Sequence, residues 1–196
     1  MSKTEIILTY FKVNPGIHPL KDLTEIGAYR NLVRKLVNDN ILTEVSRGYY
    51  QLPGYEPETS FDLVEVSSIV QNGVFCLASA LFIHGVGTQM PNNYHIAIPI
   101  GQSATQKKDY PIKTYYYSPA IYNTGIEDHG EIKVYSVAKT VADCFKFRNK
   151  IGIAVALEAL KYSLREKKTT IPEIFEMAEL CRVKKVIMPY IEGYLS

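Results

Sequence analysis

Apolar residues in the first 55 positions recur with helical spacing and then give way to strand-like alternation. From Thr4 to Val13, Ile6, Ile7, Tyr10 and Phe11 fall at i, i+1, i+4 and i+5, one stripe of a first helix. Asn14-Pro15-Gly16 ends it, because proline disfavours helix in the residue before it and glycine permits a turn. Ile17-His18-Pro19 leaves room for no more than a β-bridge. Leu20 to Ile26 predicts a helix of one to two turns with Leu20, Leu23 and Ile26 inward, and Gly27 supplies the turn. Ala28 to Asp39 then sets Tyr29, Leu32, Val33, Leu36 and Val37 at i, i+3, i+4, i+7 and i+8, a full core-facing stripe. Ile41–Ser46 and Tyr49–Leu52 read as two strands around Arg47-Gly48, closed by Pro53.

Pro, Gly and acidic residues gather in Gly54–Ser60, which separates this region from the next and sets domains over 1–55 and 60–196. Thr59 or Ser60 can cap a helix over Phe61–Gln71. Strands follow at Val74–Leu77, Asn93–Ile100, Ile112–Tyr117 and Glu131–Tyr135, with a short helix at Ala78–His84. The period then changes to four helices, Val137–Arg148, Ile151–Lys167, Ile171–Cys181 and Lys184–Leu195. The expected fold is α+β: an N-terminal winged helix-turn-helix domain, then a larger α+β domain with its helices at the end.

Composition adds little to the fold and more to the class. With 46% hydrophobic and 21% charged residues the chain can build a core. A net charge of +2 is too mild to point to nucleic acid by itself, so placement must decide. Residues 1–55 carry seven Lys or Arg against five Asp or Glu, and Arg30, Arg34, Lys35 and Arg47 cluster on the third helix and the hairpin. A DNA major groove admits one α-helix; Arg can bond guanine and Asn adenine bidentately. The candidate DNA-contacting residues are therefore Arg30, Asn31, Arg34 and Lys35 on that helix, with Arg47 and Tyr49 on the hairpin. A solvated helix face, or a module that binds protein, would carry the same kind of basic residues.

Three scattered cysteines, Cys76, Cys144 and Cys181, form no C-x-x-C pair, which suggests neither a disulfide framework nor a zinc ribbon. The N-terminus lacks the apolar segment of a signal peptide, and no run of about 18 apolar residues predicts a membrane span. A cytoplasmic protein without a membrane partner is the expectation.

For catalysis the sharpest pattern is Glu131-Ile132-Lys133 with Asp109 and Glu127-Asp128 upstream, residues that could hold a metal and orient water as in a restriction-type nuclease. An exposed strand face would show the same alternation. His18, His84, His95 and His129 lack metal-ligand spacing and read as turn or surface histidines, so no metal, cofactor or catalytic residue is assigned. Asp143, flanked by Val141, Ala142 and Phe145, is expected to be a structural carboxylate paired with a cation or a backbone donor.

Three segments together, LTEVSRGYYQLP, CLASALFIHGVG and IKVYSVAKTVADCFKFRNKIGIAVALEAL, resemble the AbiEi family of antitoxins and transcriptional regulators of type IV toxin-antitoxin systems. The likeness spans nearly the whole chain. It implies a non-enzymatic autorepressor that binds inverted repeats of double-stranded DNA in its own promoter through the N-terminal domain, in a setting of abortive infection and phage defence. It also implies an antitoxin role for the C-terminal domain against a nucleotidyltransferase-like toxin, with no stable complex between them. In the resemblance Arg30, Asn31, Arg34, Lys35 and Arg47 fall on the DNA-contacting helix and wing. Two alternatives stay open: a metal-dependent nuclease using Glu131 and Lys133, and an interaction module that sequesters a toxin directly.

Overall fold

Ser2 opens the first helix with a reciprocal capping box: its hydroxyl accepts from the Glu5 amide at 3.2 Å, and the Glu5 carboxylate accepts from the Ser2 amide at 2.6 Å. The computed structural model describes residues 2–56, 60–70, 72–87, 91–103 and 110–195. They fall into two compact units, residues 1–71 and 72–196. The fold is mixed α+β, with one sheet in each unit.

The first unit runs α1 (Lys3–Val13), β1 (His18–Pro19), α2 (Leu20–Glu25), α3 (Arg30–Asn38), β2 (Thr43–Ser46), β3 (Tyr49–Gln51) and α4 (Phe61–Ile69). Its strands are antiparallel in the order β1-β3-β2. Ile7, Phe11, Leu23, Ala28, Val33, Leu36, Leu42 and Tyr50 form the core, so α1, α2 and α3 each bury one stripe against the small sheet. Two expected core residues lie elsewhere. Ile6 is exposed, and Tyr29 is 53% exposed because it precedes α3 in extended conformation, its ring facing outward under the Lys3 ammonium.

Gly27 is the hinge between α2 and α3. With φ +92° it lets the Gly27 amide bond the Thr24 carbonyl and the Ala28 amide bond the Leu23 carbonyl, the paired bonds of a Schellman stop. Asn40 ends α3 in the same way at φ +54°. α4 belongs to the first unit, one element beyond the boundary read from composition. The Tyr49 hydroxyl donates to the Ser68 carbonyl at 3.1 Å and ties it to the hairpin. Ser60 gives α4 no side-chain cap, and Thr59 lies outside the described residues.

The second unit contains β4 (Val74–Phe75), α5 (Leu77–Ile83), β5 (Tyr94–Pro99), β6 (Ile112–Tyr117), α6 (Pro119–Tyr122), β7 (Ile126–His129) and β8 (Ile132–Tyr135). Five helices follow: α7 (Val137–Lys146), α8 (Arg148–Ile151), α9 (Ile153–Arg165), α10 (Ile171–Leu180) and α11 (Lys184–Leu195). The sheet order is β6-β5-β4-β8-β7, with β5–β6 and β4–β8 parallel and the other pairs antiparallel. Val74, Ala97, Tyr115, Tyr117 and Tyr135 join residues of α7, α9, α10 and α11 in one core.

Strand β7 and the short helices α6 and α8 are additions to the elements the sequence predicted. The expected strand over 74–77 stops at Phe75, because Leu77 already begins α5, with φ +48°. α7, on the core side of the sheet, is buried from Ala138 to Phe145.

Candidate functional site

Helix α3 turns its apolar residues inward by period, so Arg30, Asn31, Arg34 and Lys35, spaced i, i+1, i+4 and i+5, emerge on its solvent side, and all four are exposed. No side chain caps the start of α3, and no acid sits in its first turn. Its amide end therefore keeps its positive character toward solvent.

The hairpin beside it is closed by Glu44. One carboxylate oxygen accepts from the Gly48 amide at 2.8 Å and from the Tyr50 hydroxyl at 3.2 Å, which fixes the turn and leaves Arg47 exposed at its tip. Burial pushes the Tyr50 hydroxyl pKa up and Glu44 pushes it further, while Arg30 and Arg34 pull it down. The two arginines thus lie within electrostatic reach of the hairpin. Among the described residues none of Arg30, Arg34, Lys35 and Arg47 makes an ion pair. Tyr49 differs from the other candidates. It is half-buried, its hydroxyl is committed to the Ser68 carbonyl, and burial, then Glu65 and Asp22, pushes its pKa up.

Lys3 and Tyr29, stacked at 5.0 Å at the entrance to α3, add a cation and an exposed ring that the spacing argument assigned to no site. Extending the core stripe one residue too far hid Tyr29; its place just after the Gly27 turn was the available signal.

In the second unit the nuclease-like residues do not converge. Lys133 is exposed and stands opposite Asp128 across β7 and β8, while Glu131 precedes β8 and is half-buried. The cavity beside Lys133, about 420 Å³, is lined by Asn72, Gln102, Tyr122, Asn123 and apolar neighbours, with no carboxylate among the described lining residues. Asp109 lies outside the described residues.

Asp143 is fully buried, and its partner is Lys139 one turn earlier on α7, at 2.5 Å. The Cys181 thiol donates to the other carboxylate oxygen at 3.3 Å, and the Lys139 ammonium sits 4.1 Å and 4.7 Å from the ring centres of Tyr135 and Tyr117. Burial raises the Tyr117 and Tyr135 hydroxyls well above their usual range, with Asp143 adding to it. All three cysteines are reduced and buried; burial, then Asp143, pushes Cys181 up to about 12, so none is a reactive thiolate.

The four histidines sit in different surroundings, and His95 departs from its sequence reading. His18 opens β1, where its Nδ1 meets the Tyr10 hydroxyl at 3.2 Å and its Nε2 the Asn14 carbonyl at 2.8 Å. His95 is buried on β5 and stacked on Tyr115. His84, at the end of α5, meets His129 of β7 edge to face at 5.4 Å, with Glu127 beside them. His84 and Glu127 of this cluster line a cavity of about 480 Å³ together with the starts of α7 and α10.

No helix among the described residues is long and apolar enough to cross a membrane. No family model and no curated protein matches the chain. Among solved structures, the RV2827C protein from Mycobacterium tuberculosis aligns over 91% of this chain and 81% of its own at 14% identity, with a TM-score of 0.37, a likeness that fixes neither fold nor function.

Proposed function

We propose that the first unit is a winged helix-turn-helix DNA reader and that the protein is a non-enzymatic autorepressor and type IV antitoxin. In this reading α3 enters the major groove, and the β2–β3 hairpin is the wing. The observation that carries it is the set of four exposed cations, Arg30, Arg34, Lys35 and Arg47, unpaired among the described residues and gathered on one helix face and the adjacent turn. Exposed cations without acidic partners are what a phosphate backbone neutralises with release of counterions. Asn31 and the two arginines of α3 have the donor and acceptor geometry for base edges. Tyr49 supports the wing from behind, through the carbonyl it holds on α4.

The antitoxin role and the partner, a nucleotidyltransferase-like toxin countered without a stable complex, rest on the resemblance to AbiEi proteins. The natural target is an inverted repeat, because a reader with so small a charge excess gains from engaging two half-sites at once. Fluorescence anisotropy of a duplex carrying the inverted repeats upstream of the gene, titrated beside a random duplex at several salt concentrations, tests this. The repeats should bind more tightly by a factor of about 10³ or more. Equal affinity for the two duplexes would remove the repressor reading.

A further inference from the structure

The second unit brings together ligating side chains that the sequence holds 43 and 45 positions apart. His84 follows α5, while Glu127 and His129, two residues apart, share one side of β7. One nitrogen or oxygen donor from each of the three lies within 4.8 Å of the others. His84 is held in place: its Nε2 donates to the Tyr135 carbonyl at 2.7 Å. With the Nε2 proton committed to that carbonyl, the neutral ring carries its lone pair on Nδ1. An imidazole anchored through one nitrogen to a backbone carbonyl is how proteins orient the other nitrogen toward a metal.

We propose that His84, Glu127 and His129 bind one divalent transition-metal ion of the zinc class, clamping β7 to the end of α5. Two imidazoles and one carboxylate select such ions over magnesium or calcium, which prefer oxygen donors throughout. Bonds of about 2.0–2.2 Å around zinc require the donors to close to about 3.4 Å of each other. Glu127 and His129 already meet at 3.4 Å on the outer edge of the sheet, their side chains 46% and 37% exposed, so the closure asked of them is small. The remaining coordination positions open on the 480 Å³ cavity, where water can complete the shell. That cavity is also lined by Glu173, Glu176 and Lys168. Lys168 donates to the His84 carbonyl at 2.7 Å and opposes a cation, but three carboxylates outnumber it. Glu173 is engaged by the Thr169 hydroxyl and the Thr170 amide, so it acts as fixed charge in the wall. The site lies wholly in the second unit and is independent of the DNA reading.

The test titrates Zn²⁺ into full-length, chelator-treated protein by calorimetry and repeats the titration with Co²⁺ followed by visible absorption. One equivalent should bind per chain, Co²⁺ should give the bands of an imidazole-carboxylate site, and excess Mg²⁺ should not compete. His129→Gln and Glu127→Gln, at a half-buried and an exposed position of the edge strand β7, should each weaken binding by about 100-fold or more, beyond the roughly 10–100-fold typical of outer-shell partners. Their melting temperatures without metal should match the parent, which separates loss of ligands from loss of fold. Absence of saturable binding in the parent, or parent-like affinity in both β7 variants, would overturn the proposal.

Discussion

Lys139 and Asp143 are costly to bury, since both side chains are fully excluded from solvent. Their mutual attraction offsets desolvation only because the geometry is good, and because Tyr117, Tyr135 and the Cys181 thiol occupy the remaining directions. Removing one partner strands the other, so Lys139→Met should lower the unfolding free energy by about 3–5 kcal/mol, measured by urea denaturation. The double variant Lys139→Met/Asp143→Leu should recover most of that loss, because an apolar pair of similar volume needs no compensation. A double variant as unstable as the single one would show that the pair stabilises beyond its own desolvation. Gly125 belongs to the same arrangement. It has φ +73°, and a Cβ there would stand 3.0 Å from the Lys139 Cβ. At this scale the sequence showed an acid among apolar neighbours and implied a partner. It could not show that rings from two different strands would cover the lysine.

Among the elements, α3 was the most legible, because Leu32, Val33, Leu36 and Val37 repeat with helical period and so define the opposite face as Arg30, Asn31, Arg34 and Lys35. Its start was less so, since propensity does not mark where an extended Tyr29 becomes a helical Arg30. β7 escaped notice for a simpler reason: Ile126-Glu-Asp-His129 is an edge strand with one apolar residue, and it forms only because β8 offers a partner. With β7 unseen, the meeting of His84, Glu127 and His129 was invisible too. The roles of α3 and the hairpin predict different mutant behaviour. Arg34→Ala should cost about 1–3 kcal/mol on the specific repeat and little on random duplex if it reads a base. On the proposed DNA reading, Arg47→Ala, at the hairpin tip, should weaken both equally and flatten the dependence of log K on log salt by about one unit. Helix ends allow a separate check. Lys167, exposed, ends α9 at φ +53°, where glycine is free of the side-chain penalty. Lys167→Gly should therefore raise stability by about 0.5–1 kcal/mol in thermal or urea melts, the relief of left-handed strain exceeding the entropy it adds to the unfolded chain.

The molecule as a whole has a buried core in each of its two units. Its pH dependence follows from a histidine that looked like a surface residue in the sequence. His95 is 8% exposed on β5, stacked on Tyr115, and its Nδ1 has no partner among the described residues. Burial, then the charge of Lys113, lowers its pKa from the usual 6.5 to about 4. Above pH ~6.5 the ring is neutral in folded and unfolded chains and leaves stability unchanged. Between pH ~6.5 and ~4 the unfolded chain takes up a proton that the folded ring refuses, so stability falls as the pH falls. Below the folded pKa the loss is complete. His84, also lowered by burial, acts in the same direction. At about 1.4 kcal/mol per pH unit, His95 alone should remove about 2 kcal/mol between pH 7 and pH 5. Urea midpoints at several pH values in that window measure the slope. His95→Phe keeps a ring against Tyr115 but binds no proton, so it should flatten the curve while leaving stability near pH 7.5 nearly unchanged. An unaltered slope in that variant would mean that the loss on acidification arises from other groups.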